Sequence, residues 1–144
     1  MKPTITIFAG VVAAILGYSM WPVEQKTSVI DHVKSAEGAP LAIVILPKNL
    51  SPNAQIGKIG FEAKCAACHG ENAVGKDGIA PPLVHKVYEP SHHGDESFQR
   101  AVSLGVQVHH WRFGNMPAIE GLTRGDVTMI VSYIRELQRT NGIN

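Results

Sequence analysis

Cysteine is scarce in this chain of 144 residues, because Cys65 and Cys68 are the only two. A structural zinc site would need a second pair of ligands beside them, and a thioredoxin-like redox pair would need a βαβ context that the sequence does not offer. The two thiols are followed at once by a histidine, in the run Cys65-Ala66-Ala67-Cys68-His69. This spacing is typical of an attachment site for c-type haem.

An excess of charge of one sign is also missing. Lysine and arginine number 13, aspartate and glutamate 12, and the formal net charge is +1. Residues from 50 onward carry equal numbers of both signs, so nothing in the balance points to nucleic acid as a partner. A charged partner would therefore have to bind to a local cluster of charged residues, because the net charge is too small to attract it over a distance. The sequence contains no internal repeat and no low-complexity tract.

Long apolar runs are confined to the start of the chain. Ile5 to Trp21 contains no charged residue and follows the basic Lys2. As a helix this run would extend about 25 Å, at the short end of what spans a bilayer. The residues around Ser19 make a poor cleavage region for an export signal, and a tryptophan suits the membrane interface. We therefore expect residues 1–21 to be an anchor in a bacterial inner membrane, with the remainder facing the periplasm. The alternative is a cleaved signal and a soluble periplasmic protein.

Residues 22–49 are predicted to be a linker, because charges of both signs alternate there with glycine and proline. Their one apolar stretch, residues 41–46, is too short to span a membrane. It could be a strand or a segment that packs on the domain. The rest of the chain, residues 50–144, has the length of one ordinary domain with a single core.

The domain is expected to be helical. Ser51-Pro52 is a good helix start, since the hydroxyl can cap free amides and proline suits the first helical position. In that helix Ile56, Ile59, Gly60 and Ala63 fall on one stripe, and Gly57 and Phe61 fall on an adjoining one.

Two further helices are expected later in the chain, and a loop separates them from the cysteines. Asp95 to Leu104 is predicted to form a short helix, whereas residues 70–90 are rich in glycine and proline and are predicted to be loop. Thr123 with Asp126 resembles a capping box at the start of the last helix. Apolar residues keep helical spacing there until Gly142 ends the run, and they are Val127, Ile130, Val131, Ile134 and Leu137.

A haem held by Cys65 and Cys68 would be attached through one vinyl group per thiol. His69 then lies beneath the iron and is predicted to be the proximal ligand. We expect Met116 to be the distal ligand, because a glycine and a proline in the segment Gly114-Asn115-Met116-Pro117-Ala118 can fix an extended loop that presents its side chain to a flat ring. A thioether favours ferrous iron, and filling both axial positions excludes small ligands.

This pattern resembles the class I, monohaem cytochromes c over roughly residues 51–142. The spacing of Gly57, Phe61 and Cys65 matches the family's first helix, and Pro81-Pro82-Leu83 resembles its proline loop. The resemblance implies an all-α fold in which the N- and C-terminal helices cross around one covalently bound haem. It also implies that the Pro81 carbonyl accepts the His69 Nδ1 proton, that Leu83 packs on the haem, and that Tyr133 is the aromatic of the last helix that crosses the first helix at Gly57.

The segment before Met116 departs from the family pattern. His109 or His110 could take the distal iron position instead, because imidazole is a stronger iron ligand than thioether. Together with His92 and His93 these residues could also form a copper or zinc site. Trp111 and Arg112 are predicted to serve a haem propionate, and core filling is the alternative for Trp111.

The sequence therefore predicts a carrier of single electrons between redox proteins, not an enzyme, with the membrane contacted through the N-terminal helix. Neither a nucleic acid nor a small-molecule substrate is expected as a partner. The alternatives are a haem subunit of a larger dehydrogenase or terminal oxidase complex, a ligand-binding haem sensor or peroxidase, and metal handling by the histidine pairs.

Overall fold

The structure is a computed structural model that describes residues 36–144. Regular structure in this part of the chain is helical, with two isolated bridges as its only strand-like pairings. The α-helices are α1 (Pro52–Lys64), α2 (Ala66–His69), α3 (Asp95–Leu104) and α4 (Arg124–Thr140). Short 3₁₀ turns lie at Glu71–Ala73 and Lys86–Tyr88.

The helix ends are where their sequence signals place them. The Ser51 hydroxyl accepts a hydrogen bond from the Ala54 amide, and Pro52 is the first residue of α1. At the start of α4, Thr123 and Asp126 form the predicted capping box, in which each side chain bonds the other's backbone amide. The apolar stripe predicted along α4 is buried throughout. The prediction of a helix from Asp95 to Leu104 is also confirmed.

Helices α1 and α4 pack against each other at Gly57. A Cβ atom placed on Gly57 would lie 1.8 Å from the Met129 carbonyl oxygen, so only a glycine permits this approach. The aromatic contact of the helix pair lies one turn further along, where the rings of Phe61 and Tyr133 are 5.6 Å apart between centroids. The Tyr133 hydroxyl donates to Asn72 Oδ1 at 3.0 Å. The stripe of α1 that carries Gly57 and Phe61 is therefore the buried one.

The isoleucines of α1 lie outside this contact. Ile56 is 59 % exposed and Ile59 is 69 % exposed. The apolar character of these two isoleucines would suit the core, but the close backbone contact at Gly57 turns α1 so that the stripe with Gly57 and Phe61 faces α4. The core is completed by Ala54, Ala73, Leu83, Val84, Ile130, Ile134 and Leu137.

Part of the predicted linker lies along the domain. The amides of Leu41 and Ala42 both donate to the Val74 carbonyl, and Ile45 exchanges two hydrogen bonds with the Asn141 side chain at the end of α4. Of the residues predicted to be linker at 22–49, those from 36 onward belong to the same compact unit as the domain. The apolar stretch 41–46 forms no strand and is a segment packed on the domain.

The predicted membrane anchor, residues 1–21, lies outside the described residues. Within residues 36–144 no helix has both the length and the apolar character needed to cross a membrane.

Candidate functional site

The two cysteines lie at the junction of α1 and α2. The Cys65 amide donates to the Phe61 carbonyl as the last bond of α1, and the His69 amide donates to the Cys65 carbonyl across the single turn of α2. Burial raises the pKa of the Cys65 thiol to about 11, and the nearby Cys68 adds to the rise. A dithiol redox pair works through a thiolate of lowered pKa, so this environment does not suit that alternative.

The ring of His69 is fixed by the proline loop. Its Nδ1 lies 2.9 Å from the Pro81 carbonyl oxygen, which is the contact that the family resemblance implied. With Nδ1–H donating to this oxygen, Nε2 is left as the free nitrogen. Burial lowers the pKa of His69, and the bond to Pro81 opposes that change in smaller measure. The neutral imidazole, which is the form that binds metals, is thus favoured.

Two buried polar side chains of α4 hold the loop that follows Pro81. The Gln138 amide donates to the carbonyls of Leu83 and Tyr88, at 2.8 and 3.1 Å. The Arg135 guanidinium donates to the Tyr88 carbonyl at 2.7 Å and to the Gln138 amide oxygen at 2.6 Å. Sequence reasoning missed both residues. The available signal was their position at helical spacing inside the apolar stripe of α4, where a polar residue needs a buried partner.

Met116 is held by a backbone bridge. Its amide and carbonyl exchange two hydrogen bonds with Val106, of 3.0 and 2.9 Å, and this pairing closes the loop of residues 107–115. Gly105 has a φ of +75°, and a Cβ atom there would lie 2.5 Å from the Met116 carbonyl oxygen. Two constraints therefore fix the backbone at Met116, and the sequence had revealed only the neighbouring glycine and proline.

Among the buried side-chain nitrogen and oxygen atoms of residues 36–144, the indole nitrogen of Trp111 is the one without a hydrogen-bond partner. Its indole Nε1 is buried and makes no hydrogen bond. Burial raises the pKa of Tyr88 to about 12, and the nearby Trp111 indole opposes that rise. Tyr88 is thus a neutral O–H group beside the indole, and it was not among the predicted site residues. Arg112, the next residue in the chain, is exposed.

The family profile described as Cytochrome c matches residues 54–138. The chain belongs to the cytochrome c family. A search of curated proteins found no match to it. The family binds haem c covalently, and Cys65 and Cys68 of this cytochrome have the spacing of the attachment motif. The family supports a haem-based role in electron transfer.

The residues of this cytochrome fit that cofactor. A buried indole N–H without an acceptor costs about 1–3 kcal/mol, so the acceptor of Trp111 is expected from a group other than the described residues. A haem propionate is such an acceptor, because a carboxylate takes hydrogen bonds from neutral N–H and O–H donors. The nitrogen of His69 and the sulfur of Met116 are both donor types that iron accepts in haem proteins.

Replacing Trp111 tests this fit. We expect Trp111→Phe to retain the covalent haem and to raise the pKa of the propionate that loses its donor, since the charged form is then less stabilised. The pH at which the reduction potential begins to change should rise accordingly, as measured by potentiometric titration at a series of pH values.

The control for this variant is Phe113→Leu. Phe113 stacks on the Trp111 ring with 5.7 Å between centroids, so its replacement alters packing and leaves the N–H in place. The control should keep the pH profile of the wild type. A profile in Trp111→Phe that equals the wild type would show that the indole does not serve a propionate.

Proposed function

We propose that this cytochrome passes single electrons between redox protein partners on the periplasmic side of a bacterial inner membrane, with residues 1–21 as an uncleaved anchor. When bound, the haem supplies the redox change at its iron. The protein supplies the covalent attachment, two axial donors and surroundings of low dielectric constant. Membrane attachment would raise the effective concentration of the carrier near partners in the same membrane.

The observation that carries this proposal is the fixed placement of both candidate axial ligands. His69 is oriented by the Pro81 carbonyl, and the backbone of Met116 is fixed by its bridge to Val106. With both donors bound, the iron would have no open position for small molecules, which favours a carrier over a gas sensor or a peroxidase. In this assignment His69 is the proximal ligand and Met116 the distal one.

The remaining predicted site residues have supporting roles. Leu83 is buried at the end of the proline loop, and we assign it to the apolar packing against the haem. Trp111 is assigned to a propionate because of its unpaired indole N–H. The exposed Arg112 is assigned to the same carboxylate from the solvent side.

A haem subunit of a larger dehydrogenase or oxidase complex is the second candidate function. It is favoured by the segment 41–46, in which Ile43 is 98 %, Ile45 63 % and Leu46 53 % exposed although the segment is bonded to the domain. Exposed apolar side chains on an ordered segment are suited to contact with another protein.

One preparation distinguishes these functions. The full chain is purified from bacterial membranes in mild detergent, and its mass, its absorption spectra and its partners are measured. For the carrier we expect a haem that takes up and releases one electron reversibly, a ferrous form that does not bind carbon monoxide at neutral pH, and sedimentation as a single chain. Rapid carbon monoxide binding would contradict the carrier and support a sensor or peroxidase. Other chains at fixed stoichiometry would support the subunit.

A further inference from the structure

Four histidines lie together on two loops that the haem site does not account for. His92 and His93 are in the turn that precedes α3, and His109 and His110 are in the loop of residues 107–115. One ligand nitrogen from each of His92, His93 and His110 can be chosen so that all three lie within 4.8 Å of one another. The cluster brings together residues 18 positions apart in the chain, as the pair His92 and His110 shows.

The separations within the cluster are close to those of a coordination shell. The Nε2 atoms of His92 and His110 are 3.4 Å apart. Two nitrogens at about 2.1 Å from a tetrahedral zinc ion are separated by about 3.4 Å. The His93 ring lies with its centroid 4.7 Å from that of His92 and 5.3 Å from that of His110. Three imidazole nitrogens within 4.8 Å of one another are close enough to be considered as ligands of one ion.

The turn that carries His92 and His93 holds both rings on the same side. The amides of both residues donate to the Glu89 carbonyl, which prevents neighbouring side chains from pointing apart as they would in an extended chain. The ring of His93 is oriented further, because its Nδ1 donates to the Val87 carbonyl at 2.6 Å and leaves Nε2 available. Metal-bound histidines commonly have such a partner on the second nitrogen, which fixes the ring and the tautomer.

The backbone on both sides of the cluster is anchored. The His93 carbonyl accepts a hydrogen bond from the Arg135 guanidinium, whose charge is paired with Asp95 at 2.8 Å. On the facing loop the Val108 amide donates to Asn115 Oδ1 at 2.9 Å. Neither loop has to fold anew to present its imidazoles, and a pre-organised site loses less conformational entropy on binding.

We infer that His92, His93 and His110 form a binding site for one divalent transition metal ion of the zinc or copper type. Three imidazoles without a carboxylate suit Zn²⁺ and Cu²⁺ and do not suit Mg²⁺ or Ca²⁺, which require oxygen ligands. With three protein ligands the fourth position remains for water or another small ligand. The bound ion joins the loop before α3 to the loop that ends at Met116.

The test uses the full chain with its haem attached. Zinc chloride is titrated into the protein by isothermal calorimetry, and a titration with magnesium chloride is the negative control. We expect one Zn²⁺ per chain, no heat of binding with Mg²⁺, and a loss of affinity of at least about tenfold in His92→Ala and in His110→Ala. Both residues are exposed, so the variants should fold, and unchanged haem absorption and circular dichroism verify this.

The matched control is His109→Ala. His109 is adjacent to His110 in the chain and its ring centroid is 4.2 Å away, but it does not belong to the group of three whose nitrogens lie within 4.8 Å of one another. Its replacement should change the affinity less than twofold. An equal loss in His109→Ala and His110→Ala would overturn the assignment, because it would indicate unspecific binding to a histidine-rich surface.

A second measurement does not depend on any variant. Electron paramagnetic resonance of the wild-type protein with one equivalent of Cu²⁺ should show hyperfine coupling to three imidazole nitrogens. Coupling to fewer than three nitrogens would overturn the inference. In the calorimetric titration, His92→Ala binding zinc as tightly as the wild type would overturn it as well. None of these measurements depends on the electron-transfer function.

Discussion

Gly57→Ala is expected to destabilise the domain more than any other single methyl group added to α1. The new Cβ would lie 1.8 Å from the Met129 carbonyl oxygen and 2.4 Å from its carbon. Both atoms belong to the backbone of α4, so no rotation of a side chain can relieve the clash, and the two helices must separate. Such a separation loosens the packing of Phe61 on Tyr133 as well. Overpacking by small groups costs about 1–3 kcal/mol where side chains can adjust, and here we expect a loss of more than about 3 kcal/mol.

The measurement is unfolding by heat and by denaturant with the haem attached. For a domain of this size, a loss of about 3 kcal/mol lowers the melting temperature by more than about 10 °C. The matched control is Gly60→Ala in the same helix. A Cβ at Gly60 would meet only Cγ1 and Cδ1 of Ile130, at 3.1 and 3.2 Å, and this flexible side chain can move.

Alanine also gains about 1 kcal/mol over glycine in helix propensity, which offsets that mild contact in the control. Gly60→Ala should therefore remain within about 1 kcal/mol of the wild type. If Gly57→Ala proved as stable as Gly60→Ala, the close contact between α1 and α4 would not exist in solution.

Met116→Leu should have the largest effect on the redox chemistry. Leucine keeps the volume of the side chain but has no donor atom, so the iron loses its distal ligand while the Val106 bridge is retained. We expect the haem to stay covalently attached and the reduction potential to fall, because the thioether stabilises the ferrous state. A fall on the order of 0.1 V is a modest part of the ~0.8 V range over which axial ligands set haem potentials. The ferrous variant should also bind carbon monoxide.

Met129→Leu provides the control for Met116→Leu. It removes a sulfur atom from α4, where the residue contacts α1 through its carbonyl, and it should leave the potential and the ferric spectrum unchanged. An unchanged ferric spectrum in Met116→Leu would be the contrary result. It would transfer the distal position to His109 or His110, and the same measurement on His109→Ala and His110→Ala would identify which of them it is.

Much of this fold follows from signals that are local in the sequence. The start of α1 at Ser51 and the capping box at Thr123 could be predicted because a cap involves residues three or four apart. The contact between His69 and the Pro81 carbonyl was implied by the resemblance to the cytochromes c, and the structure contains it.

What could not be predicted depends on contacts between distant residues. Apolar periodicity left two stripes of α1 as candidates, and the choice between them depends on the backbone of Met129, which no local pattern reveals. The segment 41–46 is held by Asn141, nearly a hundred positions later in the chain. The histidine cluster is similar, since neither pair alone indicates that His92 and His110 meet.

The buried polar contacts of α4 have a consequence for the speed of electron exchange. Gln138 and Arg135 hold the carbonyl dipoles of Leu83, Tyr88 and His93 in place, so these dipoles cannot turn when a nearby centre changes its charge. Dipoles that are already oriented add little reorganisation energy to a charge transfer. Two polar side chains in an apolar helix face would thereby lower the activation barrier for each arriving or departing electron.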